Sequence, residues 1–362
     1  MLGVYVHIPF CKNICTYCDF CKMYYDSKYI DKYLYYLSKE IDERYKGEYV
    51  DSIYIGGGTP SCLSYDELSK LFNILNRIKL KDNYEYTIEC NIENIDEDKL
   101  KLFRDNKINR ISYGVESFDD ECINILGRRH NKELVFNNIK LSKKYFSNIN
   151  IDLIYGVNNN IDTLKKDISY FLELDIPHVS CYSLIIEEHT KLYIDKHKYI
   201  DEDIDKDMFD YINDTLTNSG YNHYELSNYA KDGYESIHNK NYWLNGSYYG
   251  FGLGAVSYLD YYRISNTKNL SKYLDGEYIY ESNYEDTNIR KENDLILGFR
   301  LIDGIDISLF NNRYNCDIIN NKVIKELIDE DYLNVDNGYL KCNYKYFYTM
   351  NYILEKIMGS EL

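Results

Sequence analysis

Short apolar runs alternate with helical patterns from Val4 to about residue 190, and this alternation restricts the fold more than any other feature of the sequence. The runs are Val4–Ile8, Ser52–Ile55, Tyr86–Cys90, Arg110–Tyr113, Ile149–Tyr155 and Val179–Leu184. Between them lie patterns with helical periodicity over 29–45, from Ser64 to Arg77, from Asp96, over 119–126 and 131–145, and over 161–174. Ser64 with Glu67 forms a capping box. Parallel strands need long crossovers, and a helix fills that role, so the order predicts an α/β fold: a six-unit partial (β/α) barrel over residues 1–190. Such sheets gather functional groups at the C-terminal ends of their strands. Four cysteines follow the first run, Gly56–Gly58 follows the second, and Glu89 ends the third. Glu116 follows the fourth, and Asp152 lies in the fifth.

Beyond residue 190 the pattern loosens. Residues 191–285 hold a helix over 201–218, the run HNKNYW at 238–243 and a glycine-spaced segment, YYGFGLGAVSYLDYYRISNT. They read as an extension covering the open side of the sheet, with a polar linker near 268–288. Residues 286–362 read as helices, a hairpin turning at Asp336–Asn337–Gly338, and a last helix, which together predict a small winged-helix-like α+β domain. Many winged helices bind DNA, but Glu326, Asp329, Glu330 and Asp331 favour a structural lid.

The chain has 362 residues with 42 basic and 59 acidic side chains, a net charge of −17. That excludes nucleic-acid binding by phosphate neutralisation as its main role. No apolar run approaches the roughly 20 residues of a membrane span. The start, MLGVYVHIPF, lacks the marks of a signal peptide, so a cytoplasmic location is expected, with transient contact at a membrane allowed. The 43 tyrosines and 3 prolines read as a coding bias rather than as function.

In that compartment thiols stay reduced, and clustered cysteines point to metal. Cys62, Cys90, Cys122, Cys181, Cys316 and Cys342 are scattered and read as small buried hydrophobes. Cys11, Cys15, Cys18 and Cys21 fall within eleven positions as C-x3-C-x2-C-x2-C. No separate second C-x2-C pair or distant histidine pair completes a zinc site, whereas thiolates on one short loop suit an iron–sulfur cubane. Cys11, Cys15 and Cys18 alone would leave one iron open to a ligand. Cys21 either completes the cluster or lies beyond reach, and the open-iron reading is preferred.

The run YVHIPFCKNICTYCDF resembles the cluster loop of the radical S-adenosylmethionine (SAM) enzymes. The narrower likeness is to the group that holds the oxygen-independent coproporphyrinogen III oxidases and the HemW heme chaperones. Further landmarks are YIGGGTPS at 54–61, TIECN at 87–91, NRISYGVESF at 109–118, LGRRH at 126–130, NIDLIYG at 150–156 and HNKNYW. The resemblance implies a [4Fe-4S] cluster on Cys11, Cys15 and Cys18, whose open iron chelates SAM and whose electron yields a 5'-deoxyadenosyl radical. It implies SAM contacts from Gly56, Gly57, Gly58 and Thr59, from Glu89 at the ribose, from Glu116 and Asp152, from Arg128 at the carboxylate and from Tyr5 near the sulfonium. Arg129 could exchange roles with Arg128. His238, heading HNKNYW, matches a position implicated in heme binding, with His223, Tyr242 and Trp243 as secondary candidates.

This chain departs from the group at Glu116, where glutamine is usual, at Ile92, over 157–160, and at Val256, where histidine is usual. An ionised glutamate accepts hydrogen bonds but donates none, so any contact that needs an N–H there is lost. Of three functions, the resemblance favours a chaperone that binds heme and passes it to apo-hemoproteins. The oxidase has a longer segment before its cluster loop, for which Cys11 leaves no room, and a cysteine two positions after its third, where Asp19 stands. An iron–sulfur electron carrier would need no nucleoside site. A reductant such as flavodoxin or ferredoxin is implied, and a homodimer is allowed.

Overall fold

The computed structural model describes residues 1–358. All six apolar runs are strands: β1 (Leu2–Ile8), β2 (Tyr49–Gly57), β3 (Lys79–Asn91), β4 (Arg110–Glu116), β5 (Asn148–Tyr155) and β6 (His178–Ser183). Each pairs in parallel with the next. The crossovers are α1 (Ser27–Arg44), α2 (Tyr65–Leu75), α3 (Glu97–Asp105), α4 (Asp120–Ile125) with α5 (Lys132–Ser142), and α6 (Ile161–Leu174). The capping box of Ser64 and Glu67 opens α2, and Asp96 caps α3.

Residues beyond 190 also join this sheet, at both edges. After α7 (Glu202–Asn218), β7 (Asn222–Glu225) and β8 (Asn228–Ala230) extend it from β6 in antiparallel fashion. After α8 (Ile237–Trp243), β9 (Ser247–Phe251) pairs with β1 as a seventh parallel strand, and β10 (Val256–Leu259), β11 (Tyr262–Asn266) and β12 (Ile279–Tyr284) follow as a meander. Glycine spacing and tyrosine richness mask these strands in the sequence. The polar stretch read as a linker holds β12, an edge strand exposed along its whole length, which explains its polarity. The result is one sheet of twelve strands.

The C-terminal residues form a separate core. Ile305–Asp306, Leu333–Asp336 and Tyr339–Cys342 make a three-stranded sheet beside α9 (Thr287–Gly298), α10 (Ile307–Tyr314), α11 (Lys322–Asp329) and α12 (Met350–Ile357). Asn337 and Gly338, at φ of 50° and 84°, make the two-residue hairpin turn, for which both residues need the left-handed region.

Period-two alternation divides each central strand. Val4, Val6, Ile8, Ile53, Ile55, Ile88, Ile111 and Val115 are fully or almost fully buried in the main core. The intervening positions are polar and fall into rows across the sheet. Glu89, Ser112, Asn150 and His178 stand side by side, and Asn91, Gly114, Asp152 and Ser180 form the next row. A hydrophobic face against the helices and a polar face toward the interior define where a ligand fits. Among the described residues no helix is long and apolar enough to cross a membrane.

Candidate functional site

The polar rows open into a cavity of about 470 Å³ at the C-terminal ends of the parallel strands. One wall is the cysteine loop. Short parallel strands at Phe10–Cys11 and Met23–Tyr24 close its base, with Met23 N–H donating to Pro9 O at 2.8 Å and Tyr25 N–H to Cys11 O at 2.8 Å. Its crest is tied to the segment after α4. Thr16 donates from its backbone to Leu126 O (3.1 Å) and from its hydroxyl to Ile125 O (2.6 Å), and Asn13 Nδ2 donates to Gly127 O (2.6 Å). Cys11, Cys15 and Cys18 line the cavity. Cys21 does not. Its Sγ lies 3.2 Å from where a Cβ on Gly254 would stand, and its carbonyl bonds to His7 Nε2 at 2.7 Å. Burial pushes the Cys11 thiol up to about 11, against the Thr59 hydroxyl, which donates to its sulfur at 3.4 Å. Among the described residues no three His, Cys, Asp or Glu side chains converge on a single metal ion.

The glycine triplet ends β2. An added Cβ would stand 2.8 Å from Glu89 Oε2 at Gly56, 2.6 Å from the His7 ring at Gly57, and 2.7 Å from the Pro9 backbone at Gly58. Gly57 also has φ +115°, which side chains rarely adopt. The missing side chains thus admit the protein's own atoms as well as exposing Gly57 and Gly58 to the cavity. Their amides are already used: Gly57 N–H donates to Glu89 Oε2 (3.0 Å) and Gly58 N–H to Ile8 O (2.8 Å).

Glu89 also accepts from the Tyr54 hydroxyl at 2.8 Å, yet burial, with Asp152 nearby, pushes its carboxyl up to about 7. Asp152 accepts from Ser112 Oγ (3.2 Å) and Asn150 Nδ2 (2.9 Å), and burial raises it too. Glu116 sits at a bulge between β4 and β5 with φ +64° and points back over Gly114. Burial pushes it up to about 7, although Arg128 Nη1 lies 3.9 Å from Oε1. Arg128 also donates to Asn91 Oδ1 (3.1 Å), to Gly114 O and to Cys15 Sγ (3.4 Å), and its buried Nε has no partner. Arg129 is exposed and away from the cavity, which separates two neighbours the sequence could not.

Tyr5 and His238 lie off the cavity wall. The Tyr5 hydroxyl bonds to His7 Nδ1 at 2.9 Å, and its ring stacks on Tyr54. His238 is 1% exposed. Its Nδ1 bonds to Ser52 Oγ at 2.8 Å and its Nε2 to the Tyr242 hydroxyl at 2.9 Å. Read from the sequence as a heme ligand, it has both ring nitrogens engaged inside the fold. Burial, with Arg110 adding, pushes it down to about 3, so the ring is neutral. His223 is likewise bonded on both sides, to Tyr344 and Leu226 O.

Sequence reasoning missed Tyr54, Asn91, Arg110, Ser112, Asn150 and Tyr182, all on the cavity wall. For all but Tyr54 a signal was available: each lies an even number of residues from another cavity position on its strand, as Asn150 does from Asp152.

A parallel sheet whose strand ends face three thiols on one loop, with buried carboxylates opposite, is the architecture of the radical SAM superfamily, whose family model matches residues 5–170. The chain is 37% identical to the heme chaperone HemW of Lactococcus lactis subsp. lactis (strain IL1403), over 99% of this chain and 98% of that protein. It is 34% identical to the heme chaperone HemW of Bacillus subtilis (strain 168), over 91% and 92%. The chain belongs to the HemW family. Its fold is shared with coproporphyrinogen III oxidase (HemN) from Escherichia coli at a TM-score of 0.87, with 22% identity over 99% of this chain and 90% of that one.

Proposed function

We propose that this protein is a radical SAM heme chaperone: it holds a [4Fe-4S] cluster and SAM in the 470 Å³ cavity, binds heme and passes it to apo-hemoproteins. The observation that carries the reading is the convergence of Cys11, Cys15 and Cys18 on the same cavity as Glu89, Arg128 and Asp152, in a chain that matches a HemW protein over nearly its whole length. The donor set fits the cofactors. Three thiols face one space, and a buried guanidinium with an unpartnered Nε suits a carboxylate. Glu89, with hydrogen bonds to spare, suits ribose hydroxyls, which would favour its ionised form. When bound, the cluster supplies one-electron reduction of SAM.

The chain's own residues have separable tasks. Thr59 donates to the sulfur of Cys11, which favours its thiolate form, and Arg128 donates to the sulfur of Cys15. Tyr54 and the Gly57 amide orient Glu89. Asn150 and Ser112 hold Asp152 toward the cavity. Phe20 and Tyr24, 65% and 66% exposed at the edge of the loop, offer an apolar approach for a reductant such as flavodoxin or ferredoxin. Reconstituted protein should carry about four irons and bind hemin without turning over coproporphyrinogen. Decarboxylation of coproporphyrinogen by the purified protein, or failure to bind hemin, overturns the chaperone reading.

A further inference from the structure

Between β6, α7 and the C-terminal unit lies a second cavity, of about 380 Å³. It shares Tyr182, Ser183 and Ile185 with the wall of the first, so the two spaces adjoin. Its lining is largely apolar and aromatic, with Phe209, Phe347 and Met350 supplied from both sides of the junction. Ile185 and Tyr182, 69% and 40% exposed, leave apolar surface at the shared wall.

Two polar groups on this wall lack a protein partner, one buried and one half-buried. The Tyr229 hydroxyl has no hydrogen-bond partner although the residue is 1% exposed. A buried hydroxyl left unpaired costs about 1–3 kcal/mol, so its persistence asks for an acceptor. The Arg300 guanidinium makes no hydrogen bond or ion pair among the described residues, although its backbone N–H donates to Leu297 O at 3.1 Å. Its guanidinium lies over the Trp243 ring at 5.7 Å. Glu225 acts on it from a distance, but that carboxylate already accepts from Asn228. The one carboxylate in the lining, Asp205, is occupied by the hydroxyls of Ser183 (2.8 Å) and Tyr348 (3.0 Å). The wall therefore presents an unpaired cation, an unpaired hydroxyl and flat apolar faces.

We propose that this second cavity is the seat of the heme cargo, with a propionate on Arg300 and Tyr229 and the macrocycle against the aromatic wall. The assignment rests on the chaperone reading and adds to it a location. It also gives HNKNYW a place in the function through Trp243, which supports Arg300, rather than through His238.

The test is titration of the full-length protein with hemin and with hemin dimethyl ester, in which both propionates are blocked. Wild type, Arg300→Gln and Tyr229→Phe are compared, with circular dichroism and thermal melting as fold controls. Tyr229→Phe removes only an unpartnered oxygen, so its fold is retained. Arg300→Gln is expected to weaken hemin binding at least about 10-fold and Tyr229→Phe about 3-fold or more. Wild type should bind the dimethyl ester as weakly as Arg300→Gln binds hemin, and Arg300→Gln should not weaken the ester further. If wild type binds hemin and neither substitution shifts it, the seat is elsewhere and the chaperone reading stands. Equal losses for hemin and ester with Arg300→Gln overturn the propionate contact. If wild type binds no hemin, both the seat and the chaperone reading fall.

Discussion

Arg128 donates to the sulfur of Cys15 across 3.4 Å while its guanidinium lies 3.9 Å from the Glu116 carboxylate. One side chain thus joins the cysteine loop to the end of β4. Removing one partner of a buried pair leaves the other charge uncompensated, which costs about 3–5 kcal/mol. Arg128→Met should therefore lower the denaturation midpoint and cut the iron retained after reconstitution. Arg129→Met, at an exposed site, should stay within about 0.5 kcal/mol of wild type and keep its iron. Equal behaviour of the two variants would sink the role given to Arg128.

The raised carboxyls make the cofactor-free protein sensitive to pH. Glu89 and Glu116 move from an ordinary 4.5 up to about 7. Between those values the folded chain keeps protons that the unfolded chain has released, so stability falls as pH rises through that window and levels off above it. Glu225, also near 7, and Asp167, near 6, add to the same trend. Urea denaturation at pH 5 and pH 8 should show lower stability at pH 8, on the order of 1–3 kcal/mol per carboxyl. The double change Glu89→Gln and Glu116→Gln should reduce this slope. A stability that rises from pH 5 to pH 8 contradicts the assignment.

The glycine triplet separates packing from binding. At Gly58 a new methyl meets the Pro9 backbone, which cannot step aside without moving the base of the cysteine loop. At Gly56 it meets the end of the Glu89 side chain, which can rotate. Overpacking costs about 1–3 kcal/mol. Gly58→Ala should fall in that range and Gly56→Ala below it, whereas Gly56→Ala should lose more SAM affinity per unit of lost stability. Chemical denaturation and SAM titration of the two variants would reveal the opposite order if the contacts are misassigned.

The sequence announces what is periodic or locally clustered. Alternating runs announce six strands, Ser64 with Glu67 announces the start of α2, and spacing singles out the four cysteines. It conceals relations set by register and by the return of distant segments. β9 completes the parallel sheet beside β1 although more than 200 residues separate them, and its composition offers no clean alternation. The row of Glu89, Ser112, Asn150 and His178 exists only once four strands are aligned. Arg128 and Arg129 look alike as letters and differ only in which way the backbone turns them.

His238 illustrates the same limit and gives the sharpest remaining prediction. Glu85 accepts from Ser236 Oγ (3.0 Å) and from the amides of Ile237 (2.9 Å) and His238 (3.1 Å), so it secures the start of α8. The His238 ring then bridges Ser52 and Tyr242 and stacks on Tyr54 at 5.1 Å. At the far end of the same helix Trp243 lies beneath Arg300. His238→Ala removes two buried hydrogen bonds and opens a cavity, at a cost of about 2–5 kcal/mol. It should weaken hemin binding because α8 loosens and Arg300 shifts. An amide side chain can keep part of the bridge to Ser52 and Tyr242, so His238→Gln should recover much of the stability and of the hemin affinity. The Soret band of hemin bound to His238→Gln should match that of wild type. A full return of stability with hemin binding still lost, or a Soret band displaced as on loss of an axial imidazole, would make His238 the iron ligand and refute its role as a support.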